Sequence, residues 1–92
     1  MESLDDLRKS IDNIDNGIVS MFSERFKVTD KVGHFKAANG LPAKDIEREA
    51  IQYRRINELA SQYGLDPEFA EPYLSAVIAR VVRNHEEIAK NT

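Results

Sequence analysis

The sequence predicts an all-α fold built from three helices, the first of them very long. Apolar residues recur at helical spacing in three separate stretches of the chain. Glycine and proline fall between these stretches, where helices usually end. No segment shows the alternation of apolar and polar residues that is typical of strands. We expect the 92 residues to form one domain, residues 1–92.

The first helix is predicted to run from about Ser3 to about Ala38, a stretch without proline. At about 1.5 Å per residue it would be on the order of 50 Å long, whereas a compact chain of this size is only about 32 Å across. We therefore expect a homodimer in which the long helices of two chains intertwine. The apolar stripe follows a heptad pattern and consists of Leu4, Leu7, Ile11, Ile14, Ile18, Met21, Val28, Val32 and Phe35.

The second helix is predicted to begin near Ala43 or Asp45 and to end at Tyr63. It follows residues 39–42, which break the helical pattern through a glycine and a position before proline. Gly64 comes directly after the last apolar residue, at the left-handed cap position where helices commonly end. The apolar face of this helix contains Ile46, Ala50, Tyr53, Ile56, Leu59, Ala60 and Tyr63.

A third helix is predicted after Asp66 and Pro67, which have the residue types of an N-cap and a first helical position. Pro72 lies one to two turns further along, so the helix either kinks there or begins in earnest there. The apolar face consists of Leu74, Val77, Ile78, Val81, Val82, His85 and Ile88.

Arg25 occupies a position in the apolar stripe of the first helix where a hydrophobic residue is expected. Burying a guanidinium there is unfavourable unless an anion meets it. The alternative is that the long side chain reaches past the stripe into solvent. This position therefore indicates an anionic partner inside the protein.

Two more basic residues, Arg8 and Lys36, lie at the edge of that stripe. Arg25 and Lys36 are about three turns apart, so both lie on one face, about 16 Å from each other, and could hold a small ligand. If two first helices pair antiparallel about a midpoint near residue 20, the partner's Arg8 falls opposite about residue 32, between these cations. Two alternatives stay open: Arg8 pairs with Asp5 or Asp12, and Lys36 is a solvated helix end.

Asp45, Arg48 and Glu49 stand at positions i, i+3 and i+4, so they project from one face of the second helix. Carboxylates there would accept hydrogen bonds from a ligand hydroxyl, and the guanidinium would meet a second anion. The alternative is an N-cap followed by a solvated, charged first turn.

His85 lies on the apolar face of the third helix and is a candidate hydrogen-bond donor; the alternative is a hydrogen-bonded core residue. With no cysteine and only His34 as a second histidine, we expect no metal and no cofactor. The sequence shows no serine–histidine–acid constellation and no glycine-rich phosphate loop. An enzyme with this inventory would work through cations and hydrogen bonds, without a nucleophile.

Composition excludes several partners. The net charge is −3 and the 13 basic residues form no dense cluster, so nucleic acid is not expected. No stretch has the length of a membrane span and the N-terminus has no secretory apolar segment, so we expect no membrane partner and a cytoplasmic location.

This set of residues, in this order, resembles the all-helical class (type II) of chorismate mutase. The resemblance extends from Leu4 to His85 and implies an intertwined three-helix homodimer. It also implies the isomerisation of chorismate to prephenate, a pericyclic Claisen rearrangement on the shikimate pathway branch of aromatic amino acid biosynthesis. The matching elements are Leu7-Arg8, Ile11-Asp12, Ile14-Asp15, Glu24-Arg25, Val32-Gly33, Lys36, Pro42, Asp45 to Glu49, and Gly64 to Phe69.

The resemblance also implies roles for the charged residues. Arg25 and the partner's Arg8 would bind the two carboxylates of chorismate. Lys36 would contact a carboxylate and the ether oxygen of the breaking bond. Asp45 and Glu49 would take the ring hydroxyl, and a further cation, Arg48, would support a carboxylate.

Two positions depart from the family pattern. His85 stands where many members have a glutamine that donates to the ether oxygen, and we expect His85 to replace that donor. Val81 stands at a serine position of the family; together with Val32 it is expected to contact the substrate.

Competing functions remain open at this point. An isochorismate–pyruvate lyase or an amino-chorismate mutase would use the same fold. A non-catalytic helical dimerisation module would need only the heptad pattern, but it leaves Arg25 without a partner. Because the sequence ends soon after the third helix, we expect no fused catalytic or regulatory domain, and feedback control only through a separate protein.

Overall fold

The computed structural model describes residues 2–91. It contains three helices, α1 (Leu4–Ala38), α2 (Ile46–Tyr63) and α3 (Pro67–Lys90), and no strand within the described residues. The predicted all-α fold class is confirmed, and each helix lies where the sequence pattern placed it.

Capping residues fix where α1 begins. The Ser3 hydroxyl accepts from the backbone N–H of Asp6 at 3.1 Å, and the Asp6 carboxylate accepts from the backbone N–H of Ser3 at 3.2 Å. This reciprocal pair satisfies two of the backbone donors that a helix leaves free at its start. From there α1 continues for 35 residues to its C-cap, Asn39.

The other two helices are delimited by the residues that the sequence indicated. Asp45 caps α2, and its Oδ1 accepts from the backbone N–H of Arg48 at 3.0 Å. Gly64 ends α2 in the left-handed region, with φ of 71°. Asp66 caps α3, which runs without interruption from Pro67 through Pro72, so the helix begins at the first proline and not at the second.

The third helix organises the core, because it packs against both α1 and α2. Its inward face supplies most of the buried apolar side chains, and Ala60 of α2 meets it. Gly33 is the buried residue of α1. The buried apolar residues are Ala60, Ala70, Leu74, Val77 and Ile78.

The apolar stripe of α1 is largely uncovered by the rest of its own chain. Ile11, Ile14 and Met21 are 55%, 61% and 68% exposed. The radius of gyration is 16.7 Å, against about 12 Å for a compact domain of this length. The single chain therefore exposes much of its longest apolar face.

No helix in residues 2–91 combines the length and the apolar character needed to cross a membrane.

Candidate active site

A cavity of about 300 Å³ lies between the three helices and the loop that joins α1 to α2. Its volume is at the lower end of the range for small-molecule sites. All of the predicted site residues except Arg8 line it: Arg25, Val32, Lys36, Asp45, Arg48, Glu49, Val81 and His85.

Helical spacing explains why α1 contributes several of these residues. The spacing is seven residues from Arg25 to Val32 and four from Val32 to Lys36, both close to whole turns. The three side chains therefore share the face of α1 that is directed toward α3. The first turn of α2 brings Asp45, Arg48 and Glu49 to the opposite wall. Cations and carboxylates from two helices therefore face one small space.

Lys36 is half-buried and held at two points. Its Nζ donates to the backbone carbonyl of Ala43 at 2.9 Å and contacts Nδ1 of His85 at 3.2 Å. Within residues 2–91 these contacts occupy two of the three N–H donors of the ammonium, which leaves the third for a ligand. This side chain is therefore not the solvated helix end considered as an alternative.

Arg25 is half-buried and borders the cavity. No carboxylate of residues 2–91 forms a salt bridge with its guanidinium. Arg25 also borders an open, apolar groove of about 750 Å³ along α1, lined by Ile14, Ile18, Met21 and Val28 among others. The Arg25 side chain thus lies where the small cavity adjoins the exposed apolar stripe of α1.

The two acids at the start of α2 differ in their partners. Asp45 is the N-cap, as the simpler interpretation had it, yet it also lines the cavity. Glu49 accepts from the Lys44 ammonium through both oxygens, at 3.0 and 2.8 Å. Lys44 partly neutralises Glu49, so this carboxylate is suited to a neutral hydroxyl more than to a second cation.

His85 is buried, with only 3% of its surface exposed. Its Nε2 lies 2.7 Å from the backbone carbonyl of Thr29, and its Nδ1 faces Lys36. Both ring nitrogens therefore have partners within the protein, whereas the sequence-based hypothesis gave one of them to the substrate.

Gly33 allows this arrangement. A Cβ at that position would lie 2.7 Å from Cδ2 of His85 and 2.8 Å from Cδ1 of Ile88. Only the lack of a side chain lets α3 approach α1 closely enough for the imidazole to reach Thr29, one turn before Gly33.

We expect Gly33→Ala to lower the free energy of unfolding by about 1–3 kcal/mol, because the methyl group overpacks the contact between α1 and α3. Urea unfolding followed by circular dichroism measures this change. Helix propensity alone predicts the opposite sign, a gain of up to about 1 kcal/mol. An unchanged or higher midpoint would show that the close contact is absent.

Arg8 lies outside the cavity of its own chain. It precedes Arg25 by seventeen residues on the same helix, or about 26 Å. Within residues 2–91 it forms no salt bridge with Asp5 or Asp12, the pairing considered as an alternative. Its contribution to a site would have to be made to another chain.

Sequence reasoning missed some cavity residues. Gln52 and Thr29 line the cavity, and Lys44 forms an ion pair with Glu49. Gln52 follows Asp45 by seven residues and Glu49 by three, so helical spacing could have identified it. Lys44 precedes the helix, where no periodicity applies, and Thr29 takes part through its backbone.

Comparison with known proteins gives consistent matches. A Methanocaldococcus jannaschii protein named chorismate mutase is 38% identical over 66 residues, which are 72% of this chain and 67% of that protein. A Haemophilus influenzae T-protein is 31% identical over 94 residues, covering all of this chain and 24% of that protein. An Aquifex aeolicus bifunctional chorismate mutase/prephenate dehydratase is 38% identical over 65 residues, 70% of this chain and 18% of that protein.

The chain thus spans about two thirds of the first relative and a quarter or less of the other two. The family model described as chorismate mutase type II matches residues 7–87, which include every predicted site residue. The chain therefore belongs to the chorismate mutase type II family.

Proposed function

We propose that the chain is an isomerase that converts chorismate to prephenate. The observation that carries the proposal is the convergence of three cations and two carboxylates on one cavity of about 300 Å³. The names of the relatives from M. jannaschii and A. aeolicus support it.

This rearrangement needs little covalent chemistry from a protein. In one concerted step the ether carbon–oxygen bond of chorismate breaks while a carbon–carbon bond forms, without a nucleophile or a general base. The protein lowers the barrier by holding the reactive folded conformer and by stabilising the negative charge that grows on the ether oxygen. Fixed cations in a small cavity suit both tasks.

In this proposal Lys36 acts on the ether oxygen. Its third N–H has no hydrogen-bond partner among residues 2–91 and would donate to that oxygen and to a neighbouring carboxylate. Arg25, which lacks a carboxylate partner in the described structure, would bind a substrate carboxylate in two-pronged fashion. Arg48, on the facing wall, would support a carboxylate.

The acidic wall would orient the ring. Asp45 and Glu49 would accept the ring hydroxyl, and Glu49 keeps unused lone pairs beside its bonds to Lys44. Val32 and Val81 line the cavity as apolar surface for the carbon skeleton.

A second copy of the chain would complete the site. The open groove along α1 and the exposed apolar residues on either side of it favour a partner helix as occupant. With the two α1 helices antiparallel about residue 20, the partner's Arg8 falls near about residue 32, between Arg25 and Lys36. The homodimer would then hold two sites, each with cations from both chains.

Product analysis with separate substrates tests the reaction. The ultraviolet absorbance of chorismate should fall with time, and NMR should identify prephenate as the product. Release of pyruvate from isochorismate at a higher kcat/KM would favour the lyase, and faster turnover of amino-chorismate would favour the amino-substituted mutase. A chain that consumes none of the three contradicts the proposal and favours a dimerisation module.

The cytoplasmic location predicted from the sequence belongs to this proposal. Cell fractionation tests it, and recovery of the chain from the membrane or the culture medium would contradict it.

A further inference from the structure

His85 sits at the centre of a bonded group that the proposed reaction does not explain. Its ring is buried between α1 and α3, and each of its two nitrogens has one partner. A buried polar side chain of this kind normally has its hydrogen bonds satisfied. The identities of those partners define what the ring can do.

The partners fix the tautomer of the imidazole. A backbone carbonyl only accepts hydrogen bonds, so the 2.7 Å contact with Thr29 requires a proton on Nε2. A lysine ammonium only donates, so the 3.2 Å contact with Lys36 requires a lone pair on Nδ1. Together they specify a neutral ring protonated at Nε2.

The carbonyl of Thr29 can take this extra donor without breaking α1. In a helix it accepts from the N–H four residues on, that of Gly33, and it retains a second lone pair. Because Gly33 has no side chain, the His85 ring can come close enough to α1 to reach that lone pair.

We propose that His85 is a positioning residue: it anchors on Thr29 and accepts from Lys36, so that it holds the ammonium toward the ether oxygen and donates nothing to the substrate. This inference depends on the proposed mutase function. In this neutral form no N–H of the ring is left for a ligand, and the donation expected at the ether oxygen falls to Lys36 alone.

The arrangement immobilises a flexible side chain. Lysine loses considerable rotamer freedom when it is fixed. Here the Lys36 ammonium donates to Nδ1 of His85 on α3 and to the backbone carbonyl of Ala43 in the loop between α1 and α2. Most of the ordering is then complete before substrate arrives, which is how preorganised donors gain catalytic strength.

Nitrogen-15 NMR of the imidazoles tests the tautomer independently of activity. In the labelled chain at neutral pH, we expect His85 to show a pyrrole-type Nε2 and a pyridine-type Nδ1. The exposed His34 serves as an internal reference, and His85→Gln assigns the signals by their loss. A ring protonated at Nδ1, or at both nitrogens, would overturn the inference.

A double-mutant cycle tests whether His85 acts through Lys36. His85→Leu should lower kcat about 10- to 100-fold in the presence of Lys36 but less than about threefold in the Lys36→Ala background, with KM little changed in either. Reactions with enzyme in excess, corrected for the uncatalysed rate, give access to the slow variants. Equal losses in both backgrounds would mean that His85 touches the substrate directly.

The variant His85→Gln provides a second test if leucine disturbs folding. Its amide oxygen can accept from Lys36, so activity should stay within about fivefold of the parent, with an unchanged circular dichroism spectrum; a larger loss would overturn the inference. An active chain with the wrong tautomer refutes this inference alone. An inactive chain with the expected tautomer refutes the mutase proposal, and with it the catalytic purpose of the contact, but leaves the anchoring of the ring on Thr29 and Lys36 in place.

Discussion

Replacing Lys36 with alanine should lower kcat/KM by about 100- to 1000-fold, the range found when one preorganised donor to a developing oxyanion is removed. Lys36 is the cation with the most fixed position in the cavity, bound to Ala43 and His85. The loss should appear mainly in kcat, because the charge on the ether oxygen develops only in the transition state.

Lys31→Ala is the matched control, since Lys31 is an exposed lysine on the same helix outside the cavity. It should keep activity within about twofold of the parent, well under 1 kcal/mol of transition-state stabilisation. Equal activity of the Lys36 and Lys31 variants would remove Lys36 from the mechanism.

Replacing Arg25 with leucine should separate function from stability. We expect kcat/KM to fall at least about 100-fold, because a charge-assisted carboxylate contact in a small cavity is lost. The free energy of unfolding should stay equal or rise, because leucine fits the apolar stripe and replaces a guanidinium that has no carboxylate partner in residues 2–91. Steady-state kinetics and urea unfolding of the same preparation measure both quantities.

Lys27→Leu provides the comparison for Arg25→Leu. Lys27 lies two residues after Arg25, on the opposite side of α1, where it is exposed and pairs with Glu24. Activity should be retained there. If Arg25→Leu were stable and fully active, Arg25 would be only a misfit in a dimerisation helix, and the catalytic proposal would lose its main residue.

Much of the fold was predictable because the signals are local. The heptad pattern and the absence of proline gave α1 within a residue at each end. The Gly64 cap and the adjacent Asp66 and Pro67 separated α2 from α3. Whether α3 begins at Pro67 or at Pro72 was left open, because proline is compatible with a first turn and unfavourable further in.

The lining of the cavity was predictable to the extent that helical spacing determines it. Arg25 and Lys36 share a face of α1, and the charged first turn of α2 meets them across the cavity. The contacts of His85 were not predictable, because they depend on how closely α3 approaches Gly33. Neither the distance between α1 and α3 nor the position of the Thr29 carbonyl oxygen produces a periodic pattern in the sequence.

The central claim is that cations from two chains close around one substrate, and subunit mixing tests it most directly. Arg8→Ala and Lys36→Ala chains, each nearly inactive alone, are exchanged under mild denaturation and refolded at equal concentrations. Half of the dimers should then be mixed, each with one intact site, so that activity returns to about one quarter of the parental value. No recovery, although mass spectrometry shows that mixed dimers have formed, would contradict a site shared between subunits.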